Sequence, residues 1–150
     1  MQMRLTTRSR YGTRLVLDIA QRQEDGPVSV SQIAKRQDIS VKYLEGLIWE
    51  LKKAGYITSV RGARGGHLLT RLPEEITVAD IVDVLEGNSY LVECDLQDKP
   101  CPRADFCPTR NLWKDVQDMV YDKLSSVTIH DLMQQDCTDG KNEKETGPGV

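Results

Sequence analysis

Between Gly26-Pro27 and Gly55 the chain is held to two helices joined by only three residues. Ser31 can cap a short helix through Ile33, Ala34 and Lys35, and Asp38-Ile39-Ser40 makes a compact break. Ser40 then caps a longer helix from Val41 to about Ala54, with Leu44, Leu47, Ile48 and Leu51 at helical spacing on one face. A short helix, a tight turn and a longer helix form a helix-turn-helix, a motif whose second helix lies in the DNA major groove. The face opposite the apolar stripe carries Lys42, Glu45, Gly46, Trp49 and Lys53. Its N-terminal turn places Lys42, Tyr43, Glu45 and Gly46 at base edges. A glycine at an exposed interior helix position costs about 1 kcal/mol relative to alanine, and it permits close approach of a partner backbone.

Beyond Gly55 the chain turns strand-like: Tyr56-Ile57-Thr58-Ser59-Val60, a turn at Gly62-Ala63-Arg64-Gly65-Gly66, and a return at His67-Leu68-Leu69-Thr70. After a helix-turn-helix this hairpin reads as a wing. Arg61 and Arg64 stand at its tip, where arginine on a glycine-rich turn suits the negative potential of a minor groove. Before the motif, Thr7 to Gln23 forms a helix capped by Thr6 or Thr7, with Tyr11, Leu15, Val16, Ile19 and Ala20 on one face. Arg4, Arg8, Arg10 and Arg14 crowd its N-terminal end. Cations there oppose the helix dipole, so either they contact an anion or they form a solvated basic face.

Charge divides the chain at Leu72-Pro73. Residues 1–72 hold 13 Lys/Arg against 6 Asp/Glu, a net +7, and residues 73–150 hold 7 against 17, a net −10. One half therefore suits a polyanion. The reading gives a winged helix-turn-helix DNA-binding domain at 1–72, a cysteine loop with further helices at 73–135, and a polar, disordered tail at 136–150.

In the acidic half, Thr77 caps a helix from Val78 to Glu86 that Gly87 closes. Asn88 to Pro108 shows no periodicity but contains Cys94, Cys101 and Cys107 at x6 and x5 spacing. Structureless loops of that length are uncommon unless functional or disordered. Thiolates bind soft or borderline metals and iron–sulfur clusters, and a metal centre can order a loop that has no core. The spacing is neither that of a zinc finger nor of a ferredoxin, so it reads as metal or cluster without choosing. Cys137 falls in the predicted tail as a free thiol.

A long helix from about Thr109 to Ser126 carries Leu112, Val116, Met119, Lys123 and Val127 in a 4-3-4-4 pattern, with Trp113, Val120 and Leu124 beside them. So wide an apolar face predicts a homodimer, its alternative being packing on the winged domain alone. A short final helix starts at Thr128 and runs through Leu132. The fold is thus mainly α with a small β-hairpin wing, plus a long dimerisation helix. With 39% hydrophobic and 29% charged residues the chain reads as globular. No apolar run approaches the ~18 residues of a membrane helix. The start MQMRLTTRSRYG has no apolar stretch, which reads as cytoplasmic. No catalytic constellation is present, so the chain is read as a non-enzyme.

Three segments, MRLTTRSRYGTRLVLDIA, IAKRQDISVKYLEGLIWELKKAGYITSVRGARGGHLL and ITVADIVDVLEG, precede the three-cysteine loop and CPTRNLW. In this order they resemble the winged-helix regulators that include the iron–sulfur cluster assembly regulator IscR and the nitric-oxide-sensing repressor NsrR. The resemblance covers about residues 3–135. It implies a homodimeric transcription regulator, a repressor, that binds a double-stranded operator and senses iron, redox state or nitric oxide through a cluster. It implies Lys42, Tyr43, Glu45, Gly46 and Arg61 as DNA readers, and Cys94, Cys101 and Cys107 as cluster thiolates. IscR-like members take a fourth ligand from a histidine three residues after the third cysteine, where this chain has Arg110. Other members take it from the first helix, where the matching positions are Arg10 and Arg14. Either a 4Fe–4S or a 2Fe–2S centre is compatible, with Asp95, Asp98 and Asp105 as candidate oxygen donors. IscR has a glutamine at the position of Gly46. Two other functions compete: a regulator of the same fold with structural zinc or a thiol switch, and a winged-helix module that docks a protein.

Overall fold

Thr6 begins the first helix by accepting the Arg8 amide on its side chain, and α1 runs from Thr7 to Arg22. The computed structural model describes residues 5–87 and 101–139. A single 3-10 turn, Gln23–Asp25, leads to Gly26. α2 (Val30–Gln37) is capped by Ser29, which accepts the Gln32 amide, and not by the expected Ser31. Ser31 lies one residue inside the helix, and its hydroxyl is 3.2 Å from that of Ser29. Asp38 closes α2 in the left-handed region at φ 54°, a conformation a short polar side chain tolerates. Ser40 caps α3 (Val41–Lys53) by accepting the Tyr43 amide. Gly55, at φ 87°, ends α3 with paired bonds from Gly55 N to Lys52 O and from Tyr56 N to Leu51 O.

β1 (Ile57–Val60) and β2 (Gly66–Leu69) form a two-stranded antiparallel hairpin with Ile57 opposite Leu69 and Val60 opposite Gly66. Gly66 is thus the first residue of the return strand and not part of the turn. Its missing side chain is required there. A Cβ would lie 2.5 Å from the Val28 carbonyl carbon, because the segment before α2 bonds to His67 through both backbone groups. A single backbone bridge therefore fixes the base of the wing to the chain that enters the helix-turn-helix.

A second 3-10 turn, Pro73–Glu75, follows the charge boundary at Leu72-Pro73. α4 (Val78–Glu86) opens with a reciprocal cap in which Thr77 and Asp80 satisfy each other's amides. α5 spans Arg110–Ser126 and α6 spans Ile129–Asp139. α6 passes the predicted stop at Leu132 and takes in Asp136 to Asp139, the first four residues of the expected tail, including the position of Cys137. Residues 140–150 lie outside the described part.

One core joins both halves. Leu15, Val16 and Ile19 of α1 pack with Leu44, Leu47 and Leu51 of α3, with Ile76, Ile81 and Leu85, and with Ile129 of α6. The backbone of Ile129 bonds back to Ile76, and Val78 to Val127. The charge boundary at 72/73 therefore runs through a shared hydrophobic core. Among the described residues no helix is long and apolar enough to cross a membrane.

Candidate nucleic-acid interface

α3 buries Leu44, Leu47, Ile48 and Leu51, which turns Lys42, Glu45, Gly46 and Trp49 outward. Tyr43 stands between the two faces. Its hydroxyl is 2.9 Å from Thr7 Oγ1, and its ring meets Tyr11 edge-on at 5.9 Å. These contacts fix the angle of α3 against α1. Arg8, Ser40, Lys42, Tyr43, Gly46 and Leu47 line an open groove of about 330 Å³, so four of the expected DNA-facing residues come together. A Cβ built on Gly46 meets no atom within 4 Å. The chain's own packing thus gives no reason for glycine at this position.

Arg10, Arg61 and Arg64 are exposed, with Arg61 and Arg64 on the turn between the wing strands. Gly62 in that turn has φ 118°. A Cβ on Gly65 would approach the Val60 carbonyl oxygen at 2.2 Å. The tip is a tight backbone loop that projects its arginines and little else. Ser59 and His67 sit at its base, with Ser59 Oγ 3.0 Å from His67 Nδ1 and the Lys52 ammonium donating to Ser59 Oγ at 3.1 Å. Burial and the Lys52 charge push the His67 pKa down, which favours the neutral ring. His67 is a packing residue that ties the wing to α3.

Arg8, expected either to contact an anion such as DNA or to join a solvated basic face, is engaged within the chain. Its guanidinium pairs with Glu50 of α3 and donates through Nε to the Leu85 carbonyl at 3.0 Å. Arg14 likewise donates to the Gln37 backbone and side chain and stacks over Tyr11. Arg4 lies outside the described residues.

The cysteine loop is described from Cys101 onward, and Cys94, Asp95 and Asp98 fall outside. Residues 101–109 form successive turns, with Ala104 N bonded to Cys101 O, Phe106 N to Arg103 O and Arg110 N to Cys107 O. Cys101 and Cys107 are half-buried free thiols. Thr109 stands at the N-terminus of α5 without capping it. Its hydroxyl lies 3.3 Å from Cys107 Sγ. That contact, bonds from the Thr109 and Arg110 amides and the Arg103 charge lower the Cys107 pKa. Lowered thiol pKa and partial exposure suit a thiolate ligand. The described donors therefore fit thiolate–metal chemistry, although among the described residues no three His, Cys, Asp or Glu side chains converge on one metal position. Arg110 donates through Nη1 to the Ala104 carbonyl at 3.2 Å and so anchors this loop through its backbone.

Three acidic residues that carry no motif in the sequence organise this region. Asp18 is 1% exposed and takes two bonds from Arg36, at 3.0 and 2.6 Å, and one from Gln37 Nε2 at 2.9 Å. It fastens α1 to α2. The sign of this in the sequence is an acid three residues after Leu15, inside the apolar stripe. Glu50 and Glu86 have no such local sign, because their partners on α1 lie 42 and 77–80 residues away.

Comparisons with known proteins agree with this geometry. A family model described as "Rrf2: Iron-dependent Transcriptional regulator" matches residues 5–135. The chain is 49% identical over 146 residues to Protein rrf2 of Nitratidesulfovibrio vulgaris, covering 97% of each. It is 37% identical to the HTH-type transcriptional regulator CymR of Bacillus subtilis over 94% of this chain and 96% of that one. The solved structure of CymR, described as the global cysteine regulator of B. subtilis, superposes with a TM-score of 0.75 at 37% identity, over 88% of this chain and 97% of that one. The structure of T. potens IscR superposes with a TM-score of 0.72 at 36% identity, over 97% and 93%. The winged helix-turn-helix with its outward α3 and arginine-tipped wing is thus a DNA-binding architecture, not an enzyme's, and the chain belongs to the Rrf2 family of transcriptional regulators.

Proposed function

We propose that the chain is a homodimeric repressor whose operator affinity is set by an iron–sulfur cluster held by Cys94, Cys101 and Cys107. The observation that carries the DNA half is the groove at the start of α3, open above Gly46 and flanked by exposed Lys42 and Glu45. In this reading Lys42, Tyr43, Glu45 and Gly46 face base edges, Arg61 and Arg64 enter the adjacent minor groove, and Arg4 and Arg10 meet phosphates. A two-fold dimer matches a palindromic operator with half-sites about one helical turn apart, or a multiple of it.

Support for the cluster comes from the loop's chemistry. The Cys107 thiol is biased towards thiolate by Thr109, and Arg110 braces the turn that carries it. A bound cluster supplies a redox- and iron-responsive centre whose loss leaves the loop without its ligand cross-links. Arg110 offers only donors and cannot serve as the fourth ligand.

Anaerobic purification with iron, sulfide and zinc analysis and a visible spectrum tests the cofactor. Wild type should hold iron and acid-labile sulfide. Serine at Cys94, Cys101 or Cys107 should bleach the chromophore, and Cys137→Ser should leave it. Zinc without sulfide, or no metal at all, refutes the cluster. The DNA reading is tested by operator titration against salt. Affinity should fall steeply, and Arg64→Ala should lower the log–log slope by about 0.9, the amount expected for one phosphate contact. A salt-insensitive complex would overturn it.

A further inference from the structure

Three helices meet at the guanidinium of Arg8. Its Nε donates to the Leu85 carbonyl in the last turn of α4, and its Nη2 pairs with the Glu50 carboxylate on α3. Beside it, Glu86 Oε1 accepts the Thr6 amide at 2.9 Å and the Ser9 amide at 3.3 Å. α1 has no acidic residue in its own first turn, so the end of α4 provides the negative charge that the start of α1 lacks. The two ends are also interlocked sterically. A Cβ on Gly12 would come within 2.0 Å of Leu85 Cδ1, so any other residue there would force the Leu85 side chain to shift. One residue after Glu86, at Gly87, α4 ends and the segment that bears Cys94 begins.

We propose that Arg8 is a positioning residue that couples the end of α4, where the cysteine segment departs, to the recognition helix α3. The inference deepens the sensor reading above and rests on it for the signal, though not for the bridge. A guanidinium presents its donors in a rigid plane, so its two acceptors must keep their relative position for both bonds to persist. Glu86 and the Leu85–Gly12 contact hold the end of α4 to α1, and Arg8 extends that body to Glu50. Displacement of the end of α4 therefore either moves α3 with it or breaks the Glu50 pair. Glu50 lies on the turn after Gly46, so a change in its tether alters how the DNA-facing turn is presented. This role differs from the phosphate contact expected of an arginine at this place in the sequence, and the two are separable.

The experiment is operator binding by fluorescence anisotropy with the full chain, over a range of salt, anaerobically as isolated and after a chelator has removed the metal. Variants are Arg8→Gln, Arg8→Lys, Glu86→Ala and Glu86→Ala combined with Arg8→Gln. Arg8→Gln should leave the salt slope unchanged and narrow the ratio of affinities between the two states about five-fold or more. Arg8→Lys, which keeps the charge but not the fork, should behave in the same way. Glu86→Ala should weaken binding in the wild-type background and add nothing in the Arg8→Gln background. A slope lowered by about 0.9 in Arg8→Gln and restored in Arg8→Lys would make Arg8 a phosphate contact and overturn the inference. Additive effects of Glu86→Ala and Arg8→Gln would overturn it as well. A wild-type ratio of one, with the Glu86–Arg8 effects still non-additive, would reject the cluster as the signal and leave the bridge standing.

Discussion

α3 and α5 are amphipathic helices of the same chain, and they end in opposite situations. α3 buries Leu44, Leu47, Ile48 and Leu51 against α1, β1 and α4. α5 is 17 residues long, buries none of its residues, and leaves Leu112, Trp113 and Met119 exposed at 55, 46 and 71%. The same periodicity is satisfied within the chain in one case and left open in the other. The shared core already takes its contributions from α1, α3, α4 and α6, so α5 meets the rest of the chain mainly along α4. A large exposed apolar face on a helix marks an interaction surface. α3 completes its burial in the core shared by both halves, while among the described residues the apolar face of α5 stays open.

The largest expected effect lies in the half that carries α3. Asp18→Ala removes the carboxylate that takes three bonds from α2 and should destabilise the fold by about 1–3 kcal/mol, less than for a fully buried pair because Arg36 keeps some contact with water. Urea unfolding followed by circular dichroism measures it. Burial pushes the Asp18 pKa up, but bonds from Arg36 and Gln37 and the charges of Arg36 and Arg22 outweigh that and hold it below the ordinary value. A carboxylate lowered on folding stabilises the fold above its unfolded pKa of about 3.9, and this stabilisation is lost as pH falls through the lower folded value. The gap between wild type and Asp18→Ala should therefore narrow below about pH 4. A constant gap would mean that Asp18 acts by packing and not by charge.

The next effect belongs to α5. Val116→Glu puts a charge on the apolar face and should split the proposed dimer, while the shared core of the single chain keeps its packing. Sedimentation should then show the variant near 16.9 kDa and wild type at twice that. Operator binding should weaken through lost bivalency even though no DNA-facing residue has changed. Wild type sedimenting as a monomer would contradict the contrast drawn between the two helices.

Local features are legible in the sequence and distant ones are not. The Ser40 and Thr77 caps, the three-residue turn, the α3 stripe and the Gly55 stop all depend on residues within a few positions of one another. Arg8 resembles one of a row of solvated cations because its acceptors, Glu50 and Leu85, are brought to it by tertiary packing alone. The cap of α2 falls two residues before the expected one, since Ser29 and Ser31 offer equivalent hydroxyls and only the path after Pro27 selects between them. α6 outruns its expected end because beyond Leu132 its side chains are mostly polar, and composition there resembles a tail. The cysteine spacing points to metal chemistry only as a class, and it says nothing of Thr109, whose hydroxyl turns to the thiol and away from its own helix end.

The smallest effect is the one that separates folding from recognition within α3 itself. Gly46 sits in the helix interior, exposed, with no atom within 4 Å of where a Cβ would stand. Alanine there reduces the conformational freedom lost on folding and fits without collision, so Gly46→Ala should stabilise the protein by about 1 kcal/mol. For a domain of this size that corresponds to a rise in Tm of roughly 2–4 °C. If the position is glycine because a DNA backbone or base edge approaches the helix there, the added methyl group should weaken operator binding in the same variant. The two quantities then move in opposite directions, which no change in global stability can produce. Differential scanning calorimetry and operator titration on one preparation provide both. A more stable protein with unchanged affinity would show that nothing approaches Gly46 closely. The reading surface would then lie nearer Lys42 and the wing than the middle of α3.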